Sequence, residues 1–402
     1  MTAAVVVTAG MAAARTLPAS FAAAPPAGEF AYVVNSGSAD VSVISTSTDT
    51  VTATTPVGGI PVQVAVTPDG TRAYVASYRG GPGTVSVIDT ATNTVIATIP
   101  PATPGDYAAY VAVSPNGTRA YVTYQGSNKV SVLNTSTNAV VTTVPVGTRP
   151  GRMAVTPDGT RVYLVNEGSN NVSVINTATN AVTATVPVGT EPFEVRLNRS
   201  GTRAYIVNRG GNSLSVINTA TNAVTATVPV GNFPVQAAVT PDERRVYVAN
   251  QNSNTVSVIS ATTNAVIGTV SASSPTWVAV APNGTRAYVV NQGADTVSVI
   301  NTSTNSIVAT IPVGSRPFQV ALTPDGARAY VSNIASDSVS VIDAASGTVV
   351  ATVPVGDSPS WMALAQLQGP TPSPTPTPSP TPTPSPTPAP SCFNIRVCVM
   401  PG

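Results

Sequence analysis

The fold is decided by residues 150–189, which read P-G-R-M-A-V-T-P-D-G-T-R-V-Y-L-V-N-E-G-S-N-N-V-S-V-I-N-T-A-T-N-A-V-T-A-T-V-P-V-G. This stretch contains four short runs of Val, Ile, Tyr and Thr, which are residue types that favour strands. Gly, Pro, Asn and Asp fill the gaps between the runs, and these residues favour turns. No window offers a capped helix. The stretch therefore predicts a meander of four antiparallel strands.

The same unit recurs until Gln366. A tyrosine in the second run of each unit marks eight copies, at Tyr32, Tyr74, Tyr121, Tyr163, Tyr205, Tyr247, Tyr288 and Tyr330. A period near 42 residues with four strands per unit is typical of a β-propeller blade. We therefore predict an all-β fold, a propeller of about eight four-stranded blades, with seven blades plus an irregular unit as the alternative.

The two ends of the repeat indicate how the ring closes. The first unit begins at its second strand, residues 30–35, and the last unit is followed by an unpartnered first strand at residues 361–365. If this C-terminal strand pairs with the N-terminal blade, the ring closes and no open edge is left between the chain ends. We predict this pairing.

The second run carries a motif that points to a known family. Y-V-x-N or a close variant stands at residues 32–35, 205–208, 247–250, 288–291 and 330–333, whereas Ser77 and Tyr124 replace the asparagine in two units. Together with V-S-V-I and A-T-[IV]-P-V-G, the motif resembles the YVTN-repeat β-propellers of prokaryotic surface and periplasmic proteins. The resemblance covers about residues 30–366. It implies a mostly non-catalytic protein that functions in binding or adhesion.

The segments outside the repeat differ in composition. Residues 1–29 are rich in Ala and apolar, which predicts a signal peptide and a short extension, although no basic residue precedes the apolar run. Residues 367–390 form a linker rich in Pro, Thr and Ser, and the tail at residues 391–402 holds Cys392 and Cys398. In an oxidising compartment these two cysteines could form a small disulfide loop. We therefore predict a secreted or cell-surface protein whose propeller occupies residues 30–366.

Charge and hydropathy exclude several classes of partner. Eighteen basic and seventeen acidic residues give a net charge of +1, which indicates neither nucleic acid nor an anionic membrane as a partner. No apolar run has the length of a transmembrane span. We expect a monomer that holds no cofactor.

Most recurring residues have a structural explanation. The hairpin between third and fourth strands carries a residue that tolerates left-handed backbone, which predicts a turn position, at Asp49, Asn93, Asn138, Asn180, Asn222, Asn264, Asn305 and Gly347. An arginine precedes the marker tyrosine by two residues in seven units and is predicted to bond backbone carbonyls of a neighbouring blade or to stack on that tyrosine. The asparagine of Y-V-x-N is predicted to satisfy backbone groups where its strand ends.

Function is expected where the copies disagree, and two variable positions map to one face of the propeller. One set surrounds the mouth of the axial channel, at Gln63, Tyr110, Arg152, Glu194, Gln236, Trp277, Gln319 and Trp361. The other set follows the Y-V-x-N motif and includes Tyr78, Glu167 and Arg209. A rim of amides and rings suits a glycan, a peptide or a cell-wall component, with the two tryptophans as stacking anchors around Gln319. The alternatives are that these loops vary without function and that the tryptophans plug the channel.

Catalysis is not expected from the residue types. The chain has no histidine, and its two cysteines lie in the tail, so the commonest general base and a cysteine nucleophile are both missing from the propeller. Glu167, Glu191 and Glu194 form the one group of acidic residues that could bind a metal or act as an acid and base, but interleaved arginines favour salt bridges instead. We therefore predict no metal site and a secreted, non-catalytic binding or adhesion propeller. The alternative is an extracytoplasmic metal-dependent hydrolase or lactonase-like enzyme.

Overall fold

A computed structural model of the protein describes residues 28–79 and 83–367. Every regular element in these two ranges is a β-strand, and the strands form eight antiparallel sheets of four. Nowhere in the same ranges is there a helix with the length and apolarity needed to cross a bilayer. The described chain is therefore all-β, as predicted.

Each sheet is one blade, in which the innermost strand is partly exposed to the channel and the second strand is almost fully buried. The innermost strands are β4 (Ile60–Val66), β8 (Ala108–Val113), β12 (Pro150–Val155), β16 (Pro192–Leu197), β20 (Pro234–Val239), β24 (Pro275–Val280), β28 (Pro317–Leu322) and β32 (Pro359–Leu367). The second strands are β1 (Gly28–Asn35), β5 (Arg72–Arg79), β9 (Arg119–Tyr124), β13 (Arg161–Asn166), β17 (Arg203–Asn208), β21 (Arg245–Asn250), β25 (Arg286–Asn291) and β29 (Arg328–Asn333).

The outer half of each blade consists of a buried third strand and a more exposed fourth strand. The third strands are β2 (Asp40–Ser45), β6 (Val85–Asp89), β10 (Lys129–Asn134), β14 (Asn171–Asn176), β18 (Ser213–Asn218), β22 (Thr255–Ser260), β26 (Thr296–Asn301) and β30 (Ser338–Asp343). The outermost strands are β3 (Thr50–Pro56), β7 (Thr94–Ile99), β11 (Val140–Pro145), β15 (Ala181–Pro187), β19 (Ala223–Pro229), β23 (Ala265–Ser271), β27 (Ser306–Pro312) and β31 (Thr348–Pro354).

The ring closes through the C-terminal strand. β32 pairs antiparallel with β1, with Tyr32 opposite Ala363 and Phe30 opposite Ala365, and it completes the sheet β3-β2-β1-β32. Each innermost strand also contacts the innermost strands of the two neighbouring blades, including β32 with both β4 and β28. The predicted count of eight blades and the predicted closure are confirmed.

Several predicted segments cannot be compared with the structure. Two residues of the predicted N-terminal extension, Gly28 and Glu29, belong to β1 instead. Leu367, the first residue of the predicted linker, belongs to β32. The remainder of the predicted signal peptide, linker and tail, including Cys392 and Cys398, lies outside the described residues.

The core consists of eight apolar layers, one between each pair of neighbouring blades. In one such layer Tyr32 and Val34 of β1 pack against Val64 of β4 and Val75 of β5 in the next blade. Equivalent layers occur around the whole ring, and the eight marker tyrosines are almost fully buried. Because both faces of each blade are apolar, stacking around the axis buries surface that a single blade would expose to water.

The predicted turn residues all adopt left-handed backbone, with φ between 52° and 67° from Asp49 to Gly347. The same residues have a second role, because in five interfaces the marker tyrosine of one blade donates its hydroxyl hydrogen to the turn residue of the next. These pairs are Tyr32 with Asn93 (3.5 Å), Tyr74 with Asn138 (2.8 Å), Tyr163 with Asn222 (2.6 Å), Tyr247 with Asn305 (3.0 Å) and Tyr330 with Asp49 (2.6 Å). The last pair joins the eighth blade to the first.

The recurring arginines bridge blades in the same region. Arg161, Arg203 and Arg286 each donate a hydrogen bond to a backbone carbonyl of the neighbouring blade, so the structural prediction is confirmed for these three of the seven arginines. Arg328 forms an ion pair with Asp49 at the ring closure instead. A carboxylate in place of the usual asparagine therefore gives the closing interface an additional charged contact.

The asparagine of Y-V-x-N was predicted to bond backbone groups, and for most copies this is wrong. The amide of Asn166 donates to Asn171 Oδ1 at 2.7 Å and to Ser173 Oγ at 2.9 Å, both on the next strand of its own blade. Other copies make the same bonds to a buried serine of V-S-V. The third strand already supplies the backbone partners, so the side chain bonds to the neighbouring serine hydroxyl instead.

The bond between tyrosine and turn residue has a built-in control, because Gly347 offers Tyr288 no side-chain acceptor. We expect Tyr247→Phe, which loses the bond to Asn305, to lower the free energy of unfolding by about 1 kcal/mol. Tyr288→Phe should change it by less than half as much. Urea unfolding followed by circular dichroism gives both values, and equal losses in the two variants would contradict this role.

Candidate active site

The loops divide the propeller into two faces. One face carries the loops that lead from each outermost strand to the next innermost strand, together with the loops from second to third strands. We call it the variable face. The opposite face, which we call the Pro-Asp-Gly face, carries turns such as residues 157–159. The first set of variable residues lies on the innermost strands, near their ends at the variable face, as predicted. These side chains therefore surround the channel just inside that face.

Arg152 lies at the centre of this ring. Its guanidinium carbon is 5.7 Å from the ring centroid of Tyr110, 4.4 Å from that of Phe193, 6.0 Å from that of Trp277 and 5.1 Å from that of Trp361. These rings come from β8, β16, β24 and β32, which are four different blades. A cation held among aromatic faces is stabilised by their quadrupoles, and the effect is larger away from water.

The charge of Arg152 is balanced by a buried carboxylate. Arg152 Nη1 donates to Glu194 Oε2, and both side chains are buried. Burial opposes the charged form of Arg152, but Glu194 and Tyr110 raise its pKa above the ordinary value, so it remains a cation. Its Nε–H is buried and has no hydrogen-bond acceptor within the part of the chain that the structure describes. A buried donor without a partner is uncommon in proteins, and it marks Arg152 as an unusual side chain of the channel.

The two tryptophans contact each other across the channel. Their ring centroids are 5.0 Å apart with an interplanar angle of 90°, and Trp277 is the more buried of the two. Perpendicular rings do not present one flat stacking surface, and together with Arg152 they close the middle of the channel. Trp361 still lines the cavity on the variable face.

The glutamines of this ring connect neighbouring blades. Gln63 accepts a hydrogen bond from the backbone N–H of Val111 at 2.8 Å, and Gln236 accepts one from Val278 at 2.9 Å. Gln319 accepts from the N–H of Met362 and donates to its carbonyl, at 2.6 and 3.1 Å. These amides therefore fix the position of the adjacent innermost strand, and both polar atoms of Gln319 are already engaged.

A second charged group lies at the rim of the variable face. Glu167 Oε2 is 3.4 Å from Arg149 and 3.7 Å from Arg209, and Arg209 also lies 3.8 Å from Glu191. These contacts confirm the prediction of rim salt bridges. A side chain at residue 151 would meet Glu167 Oε1 at 3.1 Å, so Gly151 allows this carboxylate to lie close to the backbone.

The protonation of Glu167 is unusual for an ion-paired carboxylate. Burial raises its pKa, and Arg209 and Arg149, which lower it, offset this effect only in part. Within residues 28–79 and 83–367 no three acidic side chains are grouped closely enough to share a metal ion. A carboxylate with a raised pKa beside a cation has the properties of a general base rather than of a metal ligand.

A cavity of about 460 Å³ opens on the variable face beside Arg152. Tyr78, Tyr110, Phe193, Phe318 and Trp361 contribute aromatic walls, and Arg152 contributes the charge. The long loop after β7 is anchored beside it. Asp106 accepts hydrogen bonds from the N–H groups of Gly126 and Ser127, both at 2.9 Å, and Tyr107 packs edge-on against Tyr78 with ring centroids 4.3 Å apart.

Sequence reasoning did not identify two wall residues, Phe193 and Phe318. Both stand one position after the loop proline, where the other innermost strands carry small or β-branched residues. This difference between the repeats could have identified them from the sequence.

The chain was compared with known proteins. Residues 90–186 and 177–265 match the family model described as lactonase, 7-bladed beta-propeller. No curated protein sequence matches the chain. The match covers less than half of the chain, and the propeller described above has eight blades rather than seven.

Three solved structures have a similar fold. The dihydro-heme d1 dehydrogenase NirN in complex with DHE has a TM-score of 0.71 and 19% identity, over 83% of this chain and 74% of that one. Hydrazine synthase of Kuenenia stuttgartiensis has a TM-score of 0.56 and 20% identity, over 70% and 95%. A functionally unknown protein from Desulfotomaculum acetoxidans has a TM-score of 0.59 and 18% identity, over 84% and 99%. At such identities the likeness concerns the fold alone.

The family match overturns two predictions made from the sequence. The interpretation as a non-catalytic binding or adhesion propeller is wrong, and so is the prediction that the protein is not an enzyme, because the matched family is one of lactonases. The absence of histidine and of propeller cysteines removed the commonest catalytic groups, but it left a buried arginine, a tyrosine and a carboxylate in the channel and a second buried carboxylate at the rim. The chain is an eight-bladed β-propeller that is similar, across residues 90–265, to lactonase propellers.

Proposed function

We propose that the protein is a lactonase-like hydrolase that opens a small cyclic ester in the cavity of the variable face. One observation carries this proposal: the segment that matches the lactonase model contains all the charged residues of the channel mouth. Within residues 90–265 lie Tyr110, Arg152, Glu167 and Glu194, which we call the catalytic group. The blades outside this segment contribute walls to the cavity but none of these four side chains.

Arg152 would polarise the ester carbonyl. It is a buried cation that lines the cavity and has an Nε–H without an acceptor among the described residues. Attack on an ester places negative charge on the carbonyl oxygen, and a fixed donor in a dry site stabilises that charge strongly. Tyr110 lies beside Arg152, and burial raises the pKa of its hydroxyl, so it remains a protonated second donor at neutral pH.

Glu167 would activate water. In its ionised form it accepts a proton from a water molecule while the water oxygen attacks the carbonyl carbon, which forms a tetrahedral intermediate. The ring C–O bond then breaks, and Glu167 returns the proton to the departing alkoxide. One lactone and one water give one hydroxy acid. Glu194 acts as a positioning residue, because it fixes the orientation of Arg152.

The walls of the cavity limit the substrate. Five aromatic side chains and a volume of about 460 Å³ suit a lactone with an apolar or aromatic body. The two tyrosines at the edge, Tyr78 and Tyr107, contact each other where such a body would enter. An uncharged ester also avoids the cost of bringing a further charge into a buried site.

The activity itself tests the proposal. The full-length wild-type protein should hydrolyse dihydrocoumarin, an aromatic lactone, in a pH-stat assay, and Arg152→Gln should lower kcat/KM by about 100-fold or more. Arg316→Gln removes an exposed arginine of the same face and should leave kcat/KM unchanged. A wild-type rate equal to that of buffer across five- and six-membered lactones would rule the proposal out.

The raised pKa of Glu167 predicts the pH dependence. Only the ionised carboxylate accepts a proton, so kcat/KM should rise with pH and level off above an apparent pKa higher than the ordinary glutamate value of about 4.3. Glu167→Gln should remove this rise and lower kcat/KM by about 100-fold. Glu191→Gln, on the same rim but more exposed, should keep both the rate and the profile. An unchanged profile in the Glu167 variant would exclude it as the base.

We also propose that the enzyme is exported and that its repeat is of the YVTN type. Export is supported by the apolar stretch at residues 3–14, the Pro-rich segment and the position of Cys392 and Cys398. The Y-V-x-N copies support the repeat type. N-terminal sequencing of the native protein should start between about residues 23 and 27. Recovery of an intact Met1 from the cytoplasm would contradict export.

A further inference from the structure

A second cavity opens on the Pro-Asp-Gly face, on the other side of the layer formed by Arg152 and the tryptophans. Its volume is about 500 Å³. Arg196 and Arg199 lie on one wall, and Trp277, Ala238 and Ala279 are among the residues that line the rest. None of the residues in the catalytic group lines this cavity.

Comparison of the repeats singles out Arg196. Seven innermost strands carry a loop proline, and Ala108 takes its place in β8. The position four residues after it is alanine in seven of the eight blades: Ala65, Ala112, Ala154, Ala238, Ala279, Ala321 and Ala363. All seven alanines are partly exposed. Arg196 is the eighth member and the one large side chain at this level of the channel. Three residues further on, Arg199 stands where six other blades have proline.

The charges around this cavity do not cancel. Glu194 Oε1 lies 2.8 Å from Arg196 Nε, but the other oxygen of this carboxylate already accepts from Arg152. The terminal nitrogens of Arg196 have no acceptor among the described residues, and Arg199 has no ion pair in the same ranges. Glu243, on the next blade, accepts hydrogen bonds from Asn198 and Ser200 through both oxygens. Glu194 therefore has to balance the guanidinium groups of both Arg152 and Arg196, and a net positive charge remains beside the cavity.

Most of the remaining wall is apolar, although Gln236, Thr240 and Gln319 also line it. Leu197, Val239 and Trp277 surround the two arginines, and the Arg196 guanidinium lies 5.5 Å from the centroid of a Trp277 ring. An arginine surrounded by aromatic and aliphatic side chains favours a ligand in which an anionic group is attached to an apolar group. A strongly hydrated inorganic anion would gain less, since it could not use the apolar walls.

We propose that the cavity of the Pro-Asp-Gly face binds a small organic carboxylate, with Arg196 as the main anchor and Arg199 as a second donor. This site is separate from the proposed hydrolytic site, because the layer of Arg152, Trp277 and Trp361 lies between the two cavities. Glu194 connects them, since its two oxygens contact Arg152 on one side and Arg196 on the other.

Isothermal calorimetry with benzoate tests this site without any measurement of hydrolysis. Benzoate should bind the full-length protein, whereas benzyl alcohol and inorganic phosphate should bind at least tenfold more weakly. Arg196→Ala should weaken benzoate binding about tenfold or more, the order expected for loss of a charge-assisted contact. This variant restores the residue that the seven other blades carry, so it should fold normally. Arg316→Gln, on the variable face, is the charge-matched control and should bind benzoate like the wild type.

A second variant separates this cavity from the one on the variable face. Ala238→Phe adds an aromatic ring to the cavity wall on the strand next to Arg196 without a change of charge, so it should also weaken benzoate binding about tenfold and leave lactone hydrolysis intact. Benzoate binding that is absent from the wild type, or that survives in Arg196→Ala or in Ala238→Phe, would overturn the proposal. Phosphate that binds more tightly than benzoate would overturn the assigned ligand class. Because binding is measured directly, a failed lactonase assay leaves this result unaffected.

Discussion

The propeller depends on one contact that recurs at five of the eight blade interfaces, in which a buried tyrosine of one blade bonds to the left-handed turn residue of the next. The turn residue must adopt positive φ and also present an oxygen, which only asparagine and aspartate combine readily. In the five interfaces that form the bond, the tyrosine hydroxyl lies in an apolar layer and would lose a water partner there, so the bond offsets a desolvation cost. At the closure Asp49 serves Tyr330 and Arg328 together, and the interface between chain ends gains a charged contact.

This contact also explains how much of the fold the sequence predicts. The period, the strands and the left-handed turns follow from residue types and spacing, and so does the pairing of β32 with β1, because each of these is decided by nearby residues or by the count of strands. The partner of the turn asparagine is about sixty residues away and lies in another blade. The partner of Asn166 is missed for a related reason: a serine hydroxyl and a backbone group compete for the same amide, and only the strand register decides between them.

At the channel the sequence locates the residues but not their pairings. The variable positions do surround the mouth, since their place in each repeat fixes their place in the ring. The role of each one depends on its neighbour: Gln319 is engaged because Met362 presents a backbone N–H beside it, whereas Arg152 is held by Glu194. Residue identity alone cannot distinguish an amide that joins two strands from one that contacts a ligand. The same limit led the sequence analysis to treat the lack of histidine as evidence against catalysis, although burial raises the pKa of Glu167 above its ordinary value.

A repeat with eight nearly identical blades surrounds its axis with nearly identical environments, so chemistry requires that some blades depart from the pattern. Among the innermost strands only β12 and β16 carry charged residues, namely Arg152, Glu194 and Arg196. The chain as a whole is close to neutral, and therefore the field inside the channel comes from these two neighbouring strands rather than from a diffuse surface charge. The six uncharged innermost strands supply apolar walls of low polarity, in which each charge acts more strongly than it would in water. The repeated blades thus enclose the channel, and two adjacent innermost strands supply its charged side chains on both sides of the central layer.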